Sequence, residues 1–273
     1  MRELFGLEGK SFLVVGGGQG MGSSTVHRLA SLGANVAVLD VDQGRAEASA
    51  AEADAAGVRS AAIVADVLDD DQIAGAVAEA EARVGPLSGM AAIVGMAGWS
   101  TLLEMTPEMW DNDQHRNLRY FFLVAQAVAR RLVARGAPGS IVGVCSVDGM
   151  RSAPSHASYG AAKAGLMNLA RSMTMEWAER GIRVNLVAPG AIVTPRIPLR
   201  DPEAERQSSK IIPMGRRGTT DEIANAITFF LSDMSSYVSG QTLAVDGGYL
   251  AAGLFPTPEV ASAGAVLGVN ADK

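Results

Sequence analysis

The chain has 273 residues, 48% hydrophobic and 19% charged, enough for a sizeable core and against disorder. A net charge of −6 speaks against a surface built for nucleic acid or an anionic membrane. Cys145 is the one cysteine, so no internal disulfide can form, and three scattered histidines (His27, His115, His156) without cysteine partners argue against a zinc site. No stretch reaches the roughly 18 apolar residues of a membrane span, and the charged start MRELFGLEGK does not read as a signal peptide. The expected setting is the reducing cytoplasm.

Short apolar runs alternate with longer helical stretches. Residues 11–16 (SFLVVG) read as a buried strand, 21–33 as a helix ending at a glycine, and 35–40 (NVAVLD) as a second strand. Asp42 can cap the helix that follows, up to Gly57, and Asp69 can cap another after a third strand at 59–67. Strands follow at 89–95 and 140–146, separated by one long helix over 107–135. A helix running to about Arg180 precedes a strand at 182–190. A polar, proline-bearing loop over 191–218 comes next, then a helix capped near 220–221 and a last strand in QTLAVDGG. Continuously apolar strands separated by helices mean βαβ units and a parallel sheet covered on both faces. Residues 1–252 read as one domain and 253–273 as a tail that packs over a neighbour or, through Phe255, over a pocket.

Gly16, Gly20 and Gly22 follow the first strand and open the first helix. Glycines there permit a tight turn and close approach of the backbone to a pyrophosphate, while the helix start offers free N–H groups. Asp40, at the end of the second strand, can accept hydrogen bonds from ribose hydroxyls and repel a 2′-phosphate. No arginine follows it directly (Val41 and Asp42 come next), and Gln19, before Gly20, is uncharged. These features favour NAD over NADP. Arg45 reads as a solvated helix position with a phosphate contact as the alternative.

Tyr159 and Lys163 stand four residues apart with only Gly160, Ala161 and Ala162 between them, so on a helix they share a face. An ammonium beside a phenol lowers the phenol's pKa, which suits a proton-transfer role; a surface pair is the plain alternative. Ser146 ends the fifth strand, thirteen residues before Tyr159, and ligands of parallel sheets bind outside the carboxyl ends of strands.

The glycine loop, Asn117 in WDNDQHRNLRYFF, Ser146, YGAAK and NLVAPGAIVTP together resemble the classical short-chain dehydrogenase/reductase family, over about residues 7 to 250. The resemblance implies a doubly wound (Rossmann) parallel seven-stranded sheet and hydride exchange between NAD(H) and a secondary alcohol or ketone. It implies Tyr159 as general acid/base, Ser146 as the group orienting the substrate oxygen, and Lys163 as ribose ligand and perturber of the phenol. Asn117 would hold a water continuing the proton relay. Cofactor contacts carried over are Gly16, Gln19, Gly20, Met21, Gly22, Asp40, Val41, Asp66, Val67, Ala97, Gly98, Tyr159, Lys163, Pro189, Gly190, Ile192 and Thr194; a homotetramer is also implied.

Where the family pattern has hydrogen-bonding residues, this chain has Val15, Gly95, Met96 and Gly143, and Cys145 replaces a serine. The first four lose side-chain bonds that stitch the central strands; Cys145 reads as a small buried strand residue. Candidate substrate contacts are Trp99, Ser146, Val147, Asp148, Met150 and His156, with the loop after Gly190 as a lid. Most are apolar, which favours a hydrophobic or cyclic substrate. Asp148 can bind a substrate hydroxyl or cap a turn, and His156 can equally be a helix-entry residue. Other readings are a 3-oxoacyl-thioester reductase or a nucleotide-binding member without catalysis.

Overall fold

The computed structural model describes residues 2–251; the predicted tail, with Phe255, lies outside the described residues. Seven parallel strands form one sheet in the order β3-β2-β1-β4-β5-β6-β7. They are β1 (Ser11–Val15), β2 (Asn35–Asp40), β3 (Ser60–Val64), β4 (Leu87–Ala92), β5 (Gly139–Val144), β6 (Ile182–Pro189) and β7 (Thr242–Val245). The helices are α1 (Arg2–Phe5), α2 (Met21–Ser31), α3 (Gln43–Ala55), α4 (Asp70–Val84), α5 (Pro107–Gln114), α6 (Tyr120–Arg135), α7 (Ala157–Trp177), α8 (Pro202–Ser209) and α9 (Thr220–Leu231).

The apolar runs are continuous because the sheet is covered twice. Every residue of β1 and β2 is buried, and successive side chains alternate between two cores. Leu13 and Val15 enter the core under α4, α6 and α7, while Phe12 and Val14 enter the one under α2, α3 and α9. The chain winds outward from β1 to β3, then restarts at β4 on the other side of β1. That reversal opens a crevice at the carboxyl ends of β1 and β4, where doubly wound sheets bind ligands.

Asp42 and Asp69 cap α3 and α4 as predicted, accepting from the Arg45 and Asp71 amides. Thr219 caps α9 in a reciprocal pair with Glu222, one residue before the predicted start. Two expectations need correcting. The predicted helix over 107–135 is two α-helices joined by a π turn at His115–Arg119, which swings Asn117 inward. The predicted loop over 191–218 contains α8, started by Pro202 and by Asp201, which accepts from the amides of Glu203 and Ala204. Arg217, nearly buried, pairs with Glu205 of α8 at 2.6 Å and donates to the Ile197 and Pro198 carbonyls, so this segment has its own internal ties. Among the described residues no helix is long and apolar enough to cross a membrane.

Candidate active site

The glycine turn spends the amides of Gly16, Gly17, Gly18 and Gly22 on its own shape and leaves those of Gln19, Gly20 and Met21 for an anion. Gly16 and Gly20 have φ of +77° and +59°, in the left-handed region that glycine adopts without strain. A Cβ on Gly22 would lie 1.9 Å from the Gly16 carbonyl oxygen, so the start of α2 packs directly on the turn. Gly20 caps α2 without a side-chain acceptor, leaving donors for an anion. Met21 opens the helix beside it, Gln19 accepts from the Gly22 amide, and Pro195 approaches Gly20 from the far side. The segment Pro189–Thr194 therefore returns to the turn. Ile192 bridges to Gly218, Gly190 donates to the Val245 carbonyl, and the Thr194 hydroxyl accepts from the Ile197 amide.

Asp40 sits at the end of β2, nearly buried. Its carboxylate accepts from the Gly18 amide at 3.1 Å, the Asp42 amide at 3.1 Å and the Arg45 guanidinium at 2.9 Å. Arg45 is thus not a free solvated side chain, as expected from sequence, but folds back on Asp40; this hydrogen bond holds its pKa above the ordinary value. Val41 beside it is exposed. Asp66 accepts from the Leu68 amide in a turn that buries Val67. Asp40 and the turn's donors fit the ribose and phosphate ends of a dinucleotide.

Across the crevice, the end of β5, the start of α7 and the π turn bring the reactive groups together. Ser146 is buried, and its oxygen accepts from the Asp148 amide at 3.1 Å, which leaves the hydroxyl hydrogen free to donate. Lys163 is 2% exposed; its Nζ donates to the Val144 carbonyl at 3.0 Å and lies 5.5 Å from the centre of the Tyr159 ring. Asn117, fully buried, accepts from the Met96 amide at 3.1 Å and donates to the carbonyls of Met96 (2.9 Å) and Asp113 (3.0 Å). One lone pair of its amide oxygen remains. A Cβ on Gly95 would lie 2.9 Å from that oxygen and 3.0 Å from Lys163 Nζ, so the glycine keeps the gap between them open.

A family model described as "Enoyl-(Acyl carrier protein) reductase" matches residues 16–250. The chain belongs to the short-chain dehydrogenase/reductase family. It is 37% identical over 240 residues to a 3-oxoacyl-[acyl-carrier-protein] reductase FabG from Staphylococcus aureus, covering 88% of this chain and 97% of the relative. It is 38% identical over 252 residues to galactitol 2-dehydrogenase (L-tagatose-forming) from Cereibacter sphaeroides, covering 91% and 98%. A short-chain type dehydrogenase/reductase from Mycobacterium marinum superposes with a TM-score of 0.84 at 31% identity, covering 90% of this chain and 98% of that one. The protein is an oxidoreductase acting on a CH–OH group, and its family uses NAD(P).

The expected depression of the phenol by Lys163 is not what this dehydrogenase shows. Burial pushes Tyr159 up to about 12; the Ser146 hydroxyl pulls it down, and the charges of Asp148 and Asp113 add to the rise. Burial also brings Lys163 down to about 8, which leaves it an ammonium at pH 7. Cys145 is buried, donates to the Val187 carbonyl at 3.2 Å and is pushed by burial up to about 12, an inert strand residue.

The departure at Gly143 is repacked rather than left empty. A Cβ on Gly143 would fall 2.6 Å from the Phe121 ring and 2.7 Å from Leu186, whose side chains fill that space. Asn117 ties down Met96 from the helix side, and the Tyr120 hydroxyl donates to the Val94 carbonyl at 2.7 Å. Ala97 and Gly98 follow, with the Gly98 amide donating to Asp113 at 3.1 Å.

Trp99 and Met150 are exposed, and Trp99 packs on His156, whose ring lies 5.7 Å from that of Tyr159. Asp148 and His156, weighed singly from sequence, are joined at 2.8 Å. Sequence reasoning missed Asp113, whose one available signal was its place one helical turn before Asn117.

Proposed function

We propose that this short-chain dehydrogenase interconverts a secondary alcohol, hydrophobic or cyclic, and its ketone, using NAD(H). The observation carrying the reading is the convergence of Ser146, Tyr159, Lys163 and Asn117 beside the crevice. Bound nicotinamide dinucleotide supplies the hydride acceptor or donor. Gly16, Gln19, Gly20, Met21 and Gly22 hold its phosphates, Asp40 and Val41 its adenosine ribose, and Asp66 and Val67 its adenine. Lys163 holds the nicotinamide ribose, and Ala97, Gly98, Pro189, Gly190, Ile192 and Thr194 flank the nicotinamide end.

The free Ser146 hydroxyl donates to the substrate oxygen, and Tyr159 takes the carbinol proton or returns it to the carbonyl. Lys163 passes that proton on to a water that Asn117, accepting through its free lone pair, would hold in the gap beside Gly95. Asp40 supports NAD because its carboxylate stands where a 2′-phosphate would come. The two relatives are named for a polyol and for an acyl-carrier-protein thioester, so the substrate reading rests on this chain's own walls. Exposed Met96, Trp99, Met150, Ile197 and Leu199 make those walls apolar.

The same reading places the enzyme in the cytoplasm as a homotetramer. Its one cysteine is a free buried thiol. Phe122, Val133, Leu169, Met173 and Trp177 line an apolar groove of about 430 Å³ between α6 and α7, which a second subunit would cover. The test is Tyr159→Phe: turnover of a cyclic ketone with NADH should fall by at least about 10²-fold while NADH affinity stays within a few-fold. Substantial residual turnover would overturn the assigned proton role.

A further inference from the structure

His156 precedes α7 at the N-cap position but makes no capping bond. Its Nδ1 instead lies 2.8 Å from Asp148 Oδ2. A carboxylate only accepts, so Nδ1 carries the hydrogen and the ring is held in one orientation. The ring is wedged edge-on between Trp99, with centroids 3.8 Å apart, and the catalytic Tyr159, at 5.7 Å. Its other nitrogen, Nε2, is buried and has no hydrogen-bond partner.

The backbone arrangement is also costly. Ser155 is, among the described residues, the one non-glycine with positive φ (+61°), a conformation that costs roughly 1–2 kcal/mol. Its carbonyl accepts from the Ser100 amide at 3.1 Å, joining the turn before His156 to the segment that carries Trp99. Strain persists where the surroundings over-determine it, commonly beside reacting groups.

We infer that the Asp148–His156 pair binds a second hydroxyl of the substrate, one or two carbons from the reacting carbinol. The substrate is thus a diol, or in reverse a hydroxyketone, rather than a plain alcohol. The inference deepens the proposed function and rests on it. A neutral ring held by Asp148 offers Nε2 as an acceptor, and a protonated ring offers it as a donor. A hydroxyl pairs with both, whereas a carboxylate pairs only with the second. Trp99 and Met150 then flank the carbon skeleton. The reaction balances: the carbinol gives its O–H proton to Tyr159 and its C–H hydrogen with both electrons to the dinucleotide, and the second hydroxyl is unchanged.

The experiment compares matched pairs with NAD⁺ and NADP⁺: cis-1,2-cyclohexanediol against cyclohexanol, and 2,3-butanediol against 2-butanol, with 3-hydroxybutyrate as an acid control. Sites built to bond a hydroxyl discriminate against analogues lacking it, so the native enzyme should favour the diol by about 100-fold or more in kcat/KM. In His156→Phe that ratio should fall about 10- to 100-fold, mainly through the diol's KM, and His156→Gln, which keeps a donor and an acceptor, should recover part of it. Asp148→Asn, measured in parallel, should lower the ratio less. In ¹⁵N spectra of histidine-labelled Tyr159→Phe enzyme, the diol should move the His156 Nε2 signal and cyclohexanol should not. A native preference for the plain alcohol or the acid, or a ratio unmoved by all three variants, overturns the inference alone. No turnover of any compound overturns the redox reading with it.

Discussion

The carboxylate of Asp113 and the hydroxyl of Ser158 meet at 2.5 Å, one residue ahead of Tyr159. Asp113 is 2% exposed and also accepts the Gly98 amide with both oxygens, at 3.1 and 3.2 Å. It therefore clamps the segment after β4 to the start of α7, across the proposed catalytic centre. Replacing it with leucine strands two buried donors, at about 1–3 kcal/mol each, so Asp113→Leu should lower Tm by several degrees. Asp113→Asn keeps an acceptor for Gly98 and a donor for Ser158 but removes a negative charge that raises the Tyr159 pKa. The rise of kcat/KM with pH in the oxidation direction should then move to lower pH. A profile unchanged in Asp113→Asn would reduce Asp113 to a purely structural clamp.

On the proposed NAD preference, Asp40 and Arg45 would act together. The ion pair at 2.9 Å holds the guanidinium against the carboxylate that would face a 2′-phosphate. Asp40→Ala removes the repulsive charge and releases Arg45 at the same place. The ratio of kcat/KM for NADPH over NADH should rise by about 10- to 100-fold, the scale of one charge-assisted hydrogen bond. Arg45→Ala in the Asp40→Ala background should reverse most of that gain. Initial-rate kinetics with both nucleotides decide it; an unmoved ratio would remove Asp40 as the determinant.

Much of this was legible in the sequence because local physics and tertiary structure agree. The runs at β1 and β2 are apolar because both sheet faces are covered, and Asp42 and Asp69 mark their helices through capping bonds that need no partner elsewhere. The Tyr159–Lys163 spacing gave the shared helix face. Its energetics were not legible, because desolvation depends on how the whole fold closes over Lys163. The same holds for Asp148 and His156, eight residues apart, and for Asp40 and Arg45: each side chain has plausible roles alone, and only the folded turn shows they are partners. The π turn escaped notice because its residues suit an α-helix equally well and it is fixed by what Asn117 bonds across the crevice.

Gly143 illustrates a departure that packing explains. Restoring an asparagine there drives its Cβ toward the Phe121 ring, 2.6 Å away, and buries an amide among apolar neighbours. Gly143→Asn should destabilise by about 1–3 kcal/mol from overpacking alone. Pairing it with Phe121→Ser opens the space and supplies a hydroxyl, so the double variant should be more stable than the sum of the two single losses. Urea unfolding of the four proteins measures the coupling; strict additivity would show that Phe121 is not what excludes the side chain.

Lys163 should leave a signature in the pH dependence of stability without nucleotide. Its pKa falls from an ordinary 10.5 to about 8 on folding because burial penalises the ammonium. Between those values the unfolded chain holds the proton more tightly than the native one, so this residue's contribution to stability rises with pH through that window. Below about pH 8 both states are protonated, and the native state carries the full cost of a buried cation. Lys163→Met removes that cost along with the bond to Val144, and should be more stable than the native enzyme at pH 7 by about 1–3 kcal/mol. The gap should narrow as pH rises from 8 toward 10. Tyr159, raised to about 12, works the other way only above pH 10, where native stability should fall again. Denaturant unfolding of both proteins at pH 7, 8.5 and 9.5 tests this: a gap constant across the series would mean that Lys163 enters the folded state with an unshifted pKa.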